Sequence, residues 1–182
     1  MLELPRSIQE IREELDRLID NYADSPEHLA EQVGLITNLA AKYGASISLV
    51  NEKKPGELQF NCYQYSFGLA DVEVVTEVLR RNGYIFPNRE FVQHLIATRL
   101  REIAAKDAKD GDHVLYAGSQ IEHAGRIAQG SVESKWGNGH LWRHGLFEIP
   151  LRYGDTVRVF QHISQADSIE AFLDYASIKA AV

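Results

Sequence analysis

Residues 113–136 read HVLYAGSQIEHAGRIAQGSVESKW. Three short runs, HVLYA, IEHAGRI and SVESKW, are set apart by glycine-containing turns at Gly111, Gly118 and Gly130, a pattern that predicts strands joined by tight connections. DTVRVFQH, from Asp155, reads as a later strand. Upstream the period changes. NCYQYSFGL leads into a helical pattern through Val72, Val75, Val78 and Leu79, interrupted around Gly68 and ended by Asn82-Gly83. Another helix starts at Asn88, with Phe91, Leu95, Ile96, Leu100 and Ile103 as its buried stripe, and SIEAFLDYASIKAAV closes the chain as a last helix. Helices first and strands second predict an α+β domain with a mainly antiparallel sheet.

The N-terminal part stands apart from this pattern. Ile8, Ile11, Leu15, Leu18, Ile19 and Tyr22 recur at steps of three and four, with Ser7 and Glu10 as a capping-box pattern. A second helix is signalled by Ser25 and Pro26, carries Leu29, Val33, Ile36, Leu39, Ala40 and Tyr43 inward, and stops at Gly44. Residues 1–45 thus predict a helical hairpin that packs on the remaining domain, residues 46–182, or on a second copy or another protein, with nothing polar in it placed for chemistry. SISLV then reads as a strand, and residues 51–58 as a surface loop.

The chain has 182 residues, 45% hydrophobic and 25% charged, which suits one compact domain with a helical appendage. Its 19 basic and 26 acidic residues give a net charge of −7, and a field of that sign repels nucleic acid and anionic membrane surfaces. One cysteine, Cys62, rules out an intrachain disulfide. No stretch is long and apolar enough to suggest a membrane span, and the start carries acidic residues where a leader would be apolar. The expectation is a cytoplasmic chain, with delivery by a dedicated export machine left open.

Cys62 is the first residue to weigh. A free cysteine is often an inert core residue. Here Asn61 is a good N-cap that sets Cys62 in the first turn of a helix, where the dipole favours thiolate. Gln59 and Asn61 could assist an oxyanion, although polar residues before a helix are usually caps. A thiolate mechanism needs a proton carrier, and among seven histidines His123 stands out within a strand-like run beside Gly125, which leaves room for close approach.

In their order and spacing, NCYQYSFGL, GDHVLYAG and HAGRI resemble papain-like cysteine peptidases of the NlpC and CHAP type. The resemblance covers roughly residues 59–160. It implies Cys62 as nucleophile, Gly111-Asp112 as the turn before a strand, and His123 as general base. The family's third residue comes from the next strand and orients the histidine. Pairing IEHAGRI with SVESKW across Gly130 brings Ser134 near His123, while SVESKWGNGHLWRH is similar to a stretch in small bacterial relatives of the fold and makes His144 the rival, slightly favoured. His140 and His144, four apart, also fit a zinc pair if helical, but Gly137, Gly139 and Gly145 oppose a helix. A loop whose Trp136 and Trp142 wall the cleft is preferred, with no metal and no cofactor.

The expected function is hydrolysis of an amide, peptide or isopeptide bond in a polypeptide or peptide-like substrate, through an acyl-enzyme on Cys62. Transfer of the acyl group to an amine would use the same chemistry. The alternative is a peptidase-like protein-binding module without turnover.

Overall fold

The computed structural model describes residues 4–21, 26–53, 60–137 and 139–181. Its organising element is a seven-stranded antiparallel sheet covered by helices on both faces. The strands are β1 (Ser48–Asn51), β2 (Glu102–Ile103), β3 (His113–Ala117), β4 (Ile121–Ala128), β5 (Ser131–Lys135), β6 (Leu141–His144) and β7 (Thr156–Phe160), in the spatial order β1-β6-β5-β4-β3-β7-β2. The fold is therefore α+β, with the strands expected from HVLYA, IEHAGRI, SVESKW and DTVRVFQH at the centre. The β4–β5 turn places Gln129 and Gly130 at φ of 53° and 73°. That pair of positive φ values matches the right-handed twist of a hairpin.

The helices are α1 (Arg6–Asn21), α2 (Pro26–Tyr43), α3 (Cys62–Ser66), α4 (Glu73–Arg81), α5 (Arg89–Thr98) and α6 (Gln165–Ala180). Gly68, at φ 67°, separates α3 from α4, as the interruption in the helical pattern predicts. Among the described residues, no helix is long and apolar enough to cross a membrane.

Two apolar clusters sandwich the sheet. Tyr63, Phe67, Phe91, Leu95, Phe172 and their neighbours pack helices α3–α6 on the face that carries Leu115 and Ala124. Ile11, Leu15, Ile36 and Leu39 pack the α1/α2 hairpin on the opposite face, against Val114, Tyr116, Val132, Trp136 and Trp142. Ile11 and Leu15 are fully buried, each contributing about 2 kcal/mol of apolar burial.

Two local expectations are corrected. Helix α1 opens at Arg6, with the Pro5 carbonyl accepting from the Ile8 and Gln9 N–H groups. Ser7 is therefore inside the first turn, and Glu10 pairs with Arg6 at 2.8 Å instead of closing a capping box. GNGHLWRHG is not a cleft-walling loop: its second half is β6, and Trp136 and Trp142 are 0% exposed, stacked 5.6 Å apart in the hairpin-side core. The proposed cap Ser25, the apolar Tyr22 and most of the loop read over residues 51–58 lie outside the described residues.

Candidate functional site

Asn61 caps α3 as its sequence position suggests. Its side chain accepts from the Gln64 N–H at 2.8 Å, and Gln64 Oε1 accepts from the Asn61 N–H at 3.0 Å. Asn61 also donates to the Pro87 carbonyl at 2.7 Å, so its amide is committed to the cap and not offered to an oxyanion. Gln59 lies outside the described residues. Cys62 is thus the first residue of α3, half-buried. At the other end, Ser66 donates to the Gly125 carbonyl at 2.8 Å and ties the short helix down on β4.

β4 and β5 pair only from Arg126–Glu133 to Ala128–Ser131. Beyond that point β4 continues beside β3, β5 continues beside β6, and α3 packs against both diverging strands. Cys62 sits at this split. The backbone N–H groups of Cys62, Tyr63 and Ala124 all favour its charged form, which places the sulfur beside the backbone of the residue that follows His123. At Gly125, one residue past the last β4–β5 pair, β5 is still close: a Cβ there would meet Val132 Cγ1 at 2.7 Å and the Glu133 carbonyl oxygen at 2.9 Å. The room that the sequence assigned to Gly125 is occupied by β5.

His123 is 1% exposed. Directly opposed residues share a sheet face, and its partner is Tyr116. The imidazole therefore lies on the hairpin side, while Cys62 approaches the split from the α3 side. No hydrogen bond joins the two. The His123 ring stacks on Tyr153 with centroids 3.8 Å apart and planes 4° from parallel, and its Nε2 is buried with no hydrogen-bond partner. Tyr153 in turn lies within electrostatic reach of Cys62, so the sulfur, the imidazole and the phenol ring occupy one neighbourhood.

Burial dominates the electrostatics. It pushes the Cys62 thiol up to about 11, against the smaller favourable effects of those N–H groups and of the buried Lys135. His123 is held well below the usual histidine range by burial and then by the nearby His144. Burial thus favours the neutral form of both the thiol and the imidazole. A five-residue helix supplies too little dipole to reverse this.

Neither expected orienting residue makes a hydrogen bond to His123. Extending the β4–β5 register sets Ser134 against Gly125, two positions beyond the expected partner. Ser134 Oγ lies 2.8 Å from His144 Nε2 and accepts from Trp136 Nε1 at 2.9 Å. His144 Nδ1 faces the Gly145 carbonyl at 2.8 Å and must carry the ring proton, so Ser134 donates to Nε2.

His140 immediately precedes β6 and His144 ends it, roughly 13 Å apart for an extended chain. His140 donates to the Leu29 carbonyl and accepts from the Lys53 N–H, at 2.8 and 2.9 Å. Its role is to pin α2 to the chain after β1. Among the described residues no group of three or more His, Cys, Asp or Glu side chains is arranged to hold a metal ion.

Gly111-Asp112 does form the turn before β3. Gly111 takes φ 96°, and the Asp112 carboxylate accepts from the Lys109 and His162 N–H groups, both at 2.8 Å. A polar cleft of about 560 Å³ opens beside the site, bounded by Tyr63 and Glu122, the chain neighbours of Cys62 and His123, with Asn88, Arg89 and Glu90. Arg89 holds Glu122 at 2.6 Å and donates to the Ile121 carbonyl at 2.6 Å.

Tyr153, Lys135 and Arg12 are the residues sequence reasoning missed. Arg12 alone left a signal: it falls beside Ile11 on the apolar face of α1, where a cation is out of place. No protein-family model, no curated protein and no solved structure matches this chain.

Proposed function

We propose that this protein is a papain-like cysteine hydrolase of the NlpC and CHAP type that cleaves an amide, peptide or isopeptide bond. The observation that carries this reading is the position of the Cys62 sulfur beside the Ala124 N–H, next to His123 on β4. The start of a capped helix thereby lies against the strand that carries a histidine distant in the chain. In the proposed reaction His123 takes the Cys62 proton as sulfur attacks the carbonyl carbon, and the Cys62 N–H donates to the oxyanion. Collapse breaks the C–N bond, and His123 protonates the departing amine. Water, deprotonated by the same imidazole, then displaces the thiolate from the acyl carbon. Without substrate the pair need not be in hydrogen-bond contact, because such contacts commonly tighten only in the complex. The polar cleft beside Tyr63 and Glu122 suits a polypeptide or peptide-like substrate.

A specific observation favours the second reading, a peptidase-like binding module: burial holds both the thiol and the imidazole neutral. Mass spectrometry after exposure to p-nitrophenyl acetate separates the two. An acyl group on Cys62 that disappears with time in the native protein, and persists in His123→Ala, supports the hydrolase. Absence of acylation in the native protein, with labelling only after denaturation, supports the binding module.

A further inference from the structure

Two residues one turn apart on α1 grip the 3-10 turn Leu151–Tyr153 that carries the ring stacked on His123. Arg12, 0% exposed, donates from Nη1 to Asp155 Oδ1 and from Nη2 to the Gly154 carbonyl, each at 2.7 Å. Asp16 accepts from the Arg152 backbone N–H at 3.0 Å and from its Nε at 2.7 Å. The chain segment on both sides of Tyr153 is thereby fastened to the hairpin.

Tyr153 itself is held at its far end. Its hydroxyl accepts from the Gly137 N–H at 3.0 Å, and its backbone N–H donates to the Pro150 carbonyl at 3.1 Å. Gly154, at φ 98°, presses against the end of β3: a Cβ there would lie 2.2 Å from the Ala117 carbonyl carbon. The phenol ring is therefore fixed from the hairpin, from β3 and from the segment after β5. It presents a full face to an imidazole that has no hydrogen bond at Nε2.

We infer that Tyr153 is the positioning residue for His123, acting by ring stacking where the fold would otherwise use a polar side chain, and that Arg12 extends this positioning role to the N-terminal hairpin. The inference rests on the Cys62–His123 reading above. It gives the hairpin a task in the chemistry: α1 sets the turn, the turn sets Tyr153, and Tyr153 sets the plane of the imidazole. Stacking fixes the plane and leaves the ring nitrogens to the thiol and substrate, whereas Ser134 and His144 spend their hydrogen bonds on each other. The titratable groups around His123 are Cys62 from α3, Tyr116 from β3, His144 from β6 and Tyr153 itself.

The test is the pH profile of Cys62 alkylation by iodoacetamide in the full chain, for the wild type and for His123→Ala, Tyr153→Leu, Tyr153→Phe and Arg12→Lys. Thermal melts report which variants fold. Tyr153→Leu is expected to lose the His123-dependent part of the profile, with a rate lower near neutrality by roughly tenfold or more, up to the roughly 100-fold that a misplaced reacting group can cost. Tyr153→Phe, which keeps the stacked ring, is expected to restore it. Arg12→Lys, which keeps the charge and loses the two-pronged grip, falls between them and carries the test if Tyr153→Leu does not fold. A folded Tyr153→Leu with the wild-type profile, or a wild-type profile in Arg12→Lys where Tyr153→Leu fails to fold, overturns the inference while leaving the His123 reading intact. A wild-type profile in His123→Ala overturns both.

Discussion

Ser134 donates its hydroxyl proton to His144 Nε2 at 2.8 Å, and this bond commits the facing atoms of both candidate orienting residues to each other. Trp136 Nε1–H, Ser134 and His144 form one chain that ends on the Gly145 carbonyl, all within the hairpin-side core. Ser134→Ala strands the buried indole N–H and the imidazole acceptor together, at about 1–3 kcal/mol for each unpaired group. The expected outcome is a loss of roughly 2–6 kcal/mol in urea denaturation with the rate of Cys62 alkylation retained. Intact stability with a collapsed alkylation rate would instead restore Ser134 to the site.

The parts of this molecule governed by local chemistry were legible in its sequence. Alternation between glycine turns gave β3, β4, β5 and β7; Asn61 announced the start of α3, and Gly68 its separation from α4. Apart from the cap of α1, what failed depended on tertiary structure. β6 is four residues behind a glycine-rich stretch, too short for a period to register, and its recognition depends on pairing with β5 and β1. The face on which His123 lies follows from the register with Tyr116, and the split beside it from where the β4–β5 pairs stop. Neither is written in a motif. Tyr153 meets His123 from a turn more than 25 residues further along the chain, which α1 holds through Arg12 and Asp16.

Gly125→Ala tests the close approach of β5. The new methyl would lie 2.7 Å from Val132 Cγ1 and 2.9 Å from the Glu133 carbonyl oxygen, and the backbone partner cannot rotate away. Overpacking of this kind costs about 1–3 kcal/mol. A correspondingly lower denaturation midpoint is expected, and an unchanged midpoint would contradict the observed spacing.

Acid stability reports two further histidines. Burial lowers both His113 and His144 from 6.5 to about 4. Between these values the unfolded chain binds protons that the folded chain refuses, so stability is full above the unfolded value and falls as pH drops toward the folded one. Urea denaturation at pH 7 and pH 5 is expected to show a loss of roughly 1–2 kcal/mol for each histidine. Equal stability at the two pH values would show that these rings are not buried neutral.

Coupling between Cys62 and His123 is tested most directly by the rate at which iodoacetamide alkylates the native protein across pH 6 to 9, compared with His123→Ala. The expected result is a wild-type rate that exceeds the variant's near neutrality, with the gap narrowing toward pH 9 as the unaided thiol, pushed up to about 11, begins to ionise. Identical profiles, or a Cys62 that reacts only after denaturation, would contradict a working pair at the split between β4 and β5.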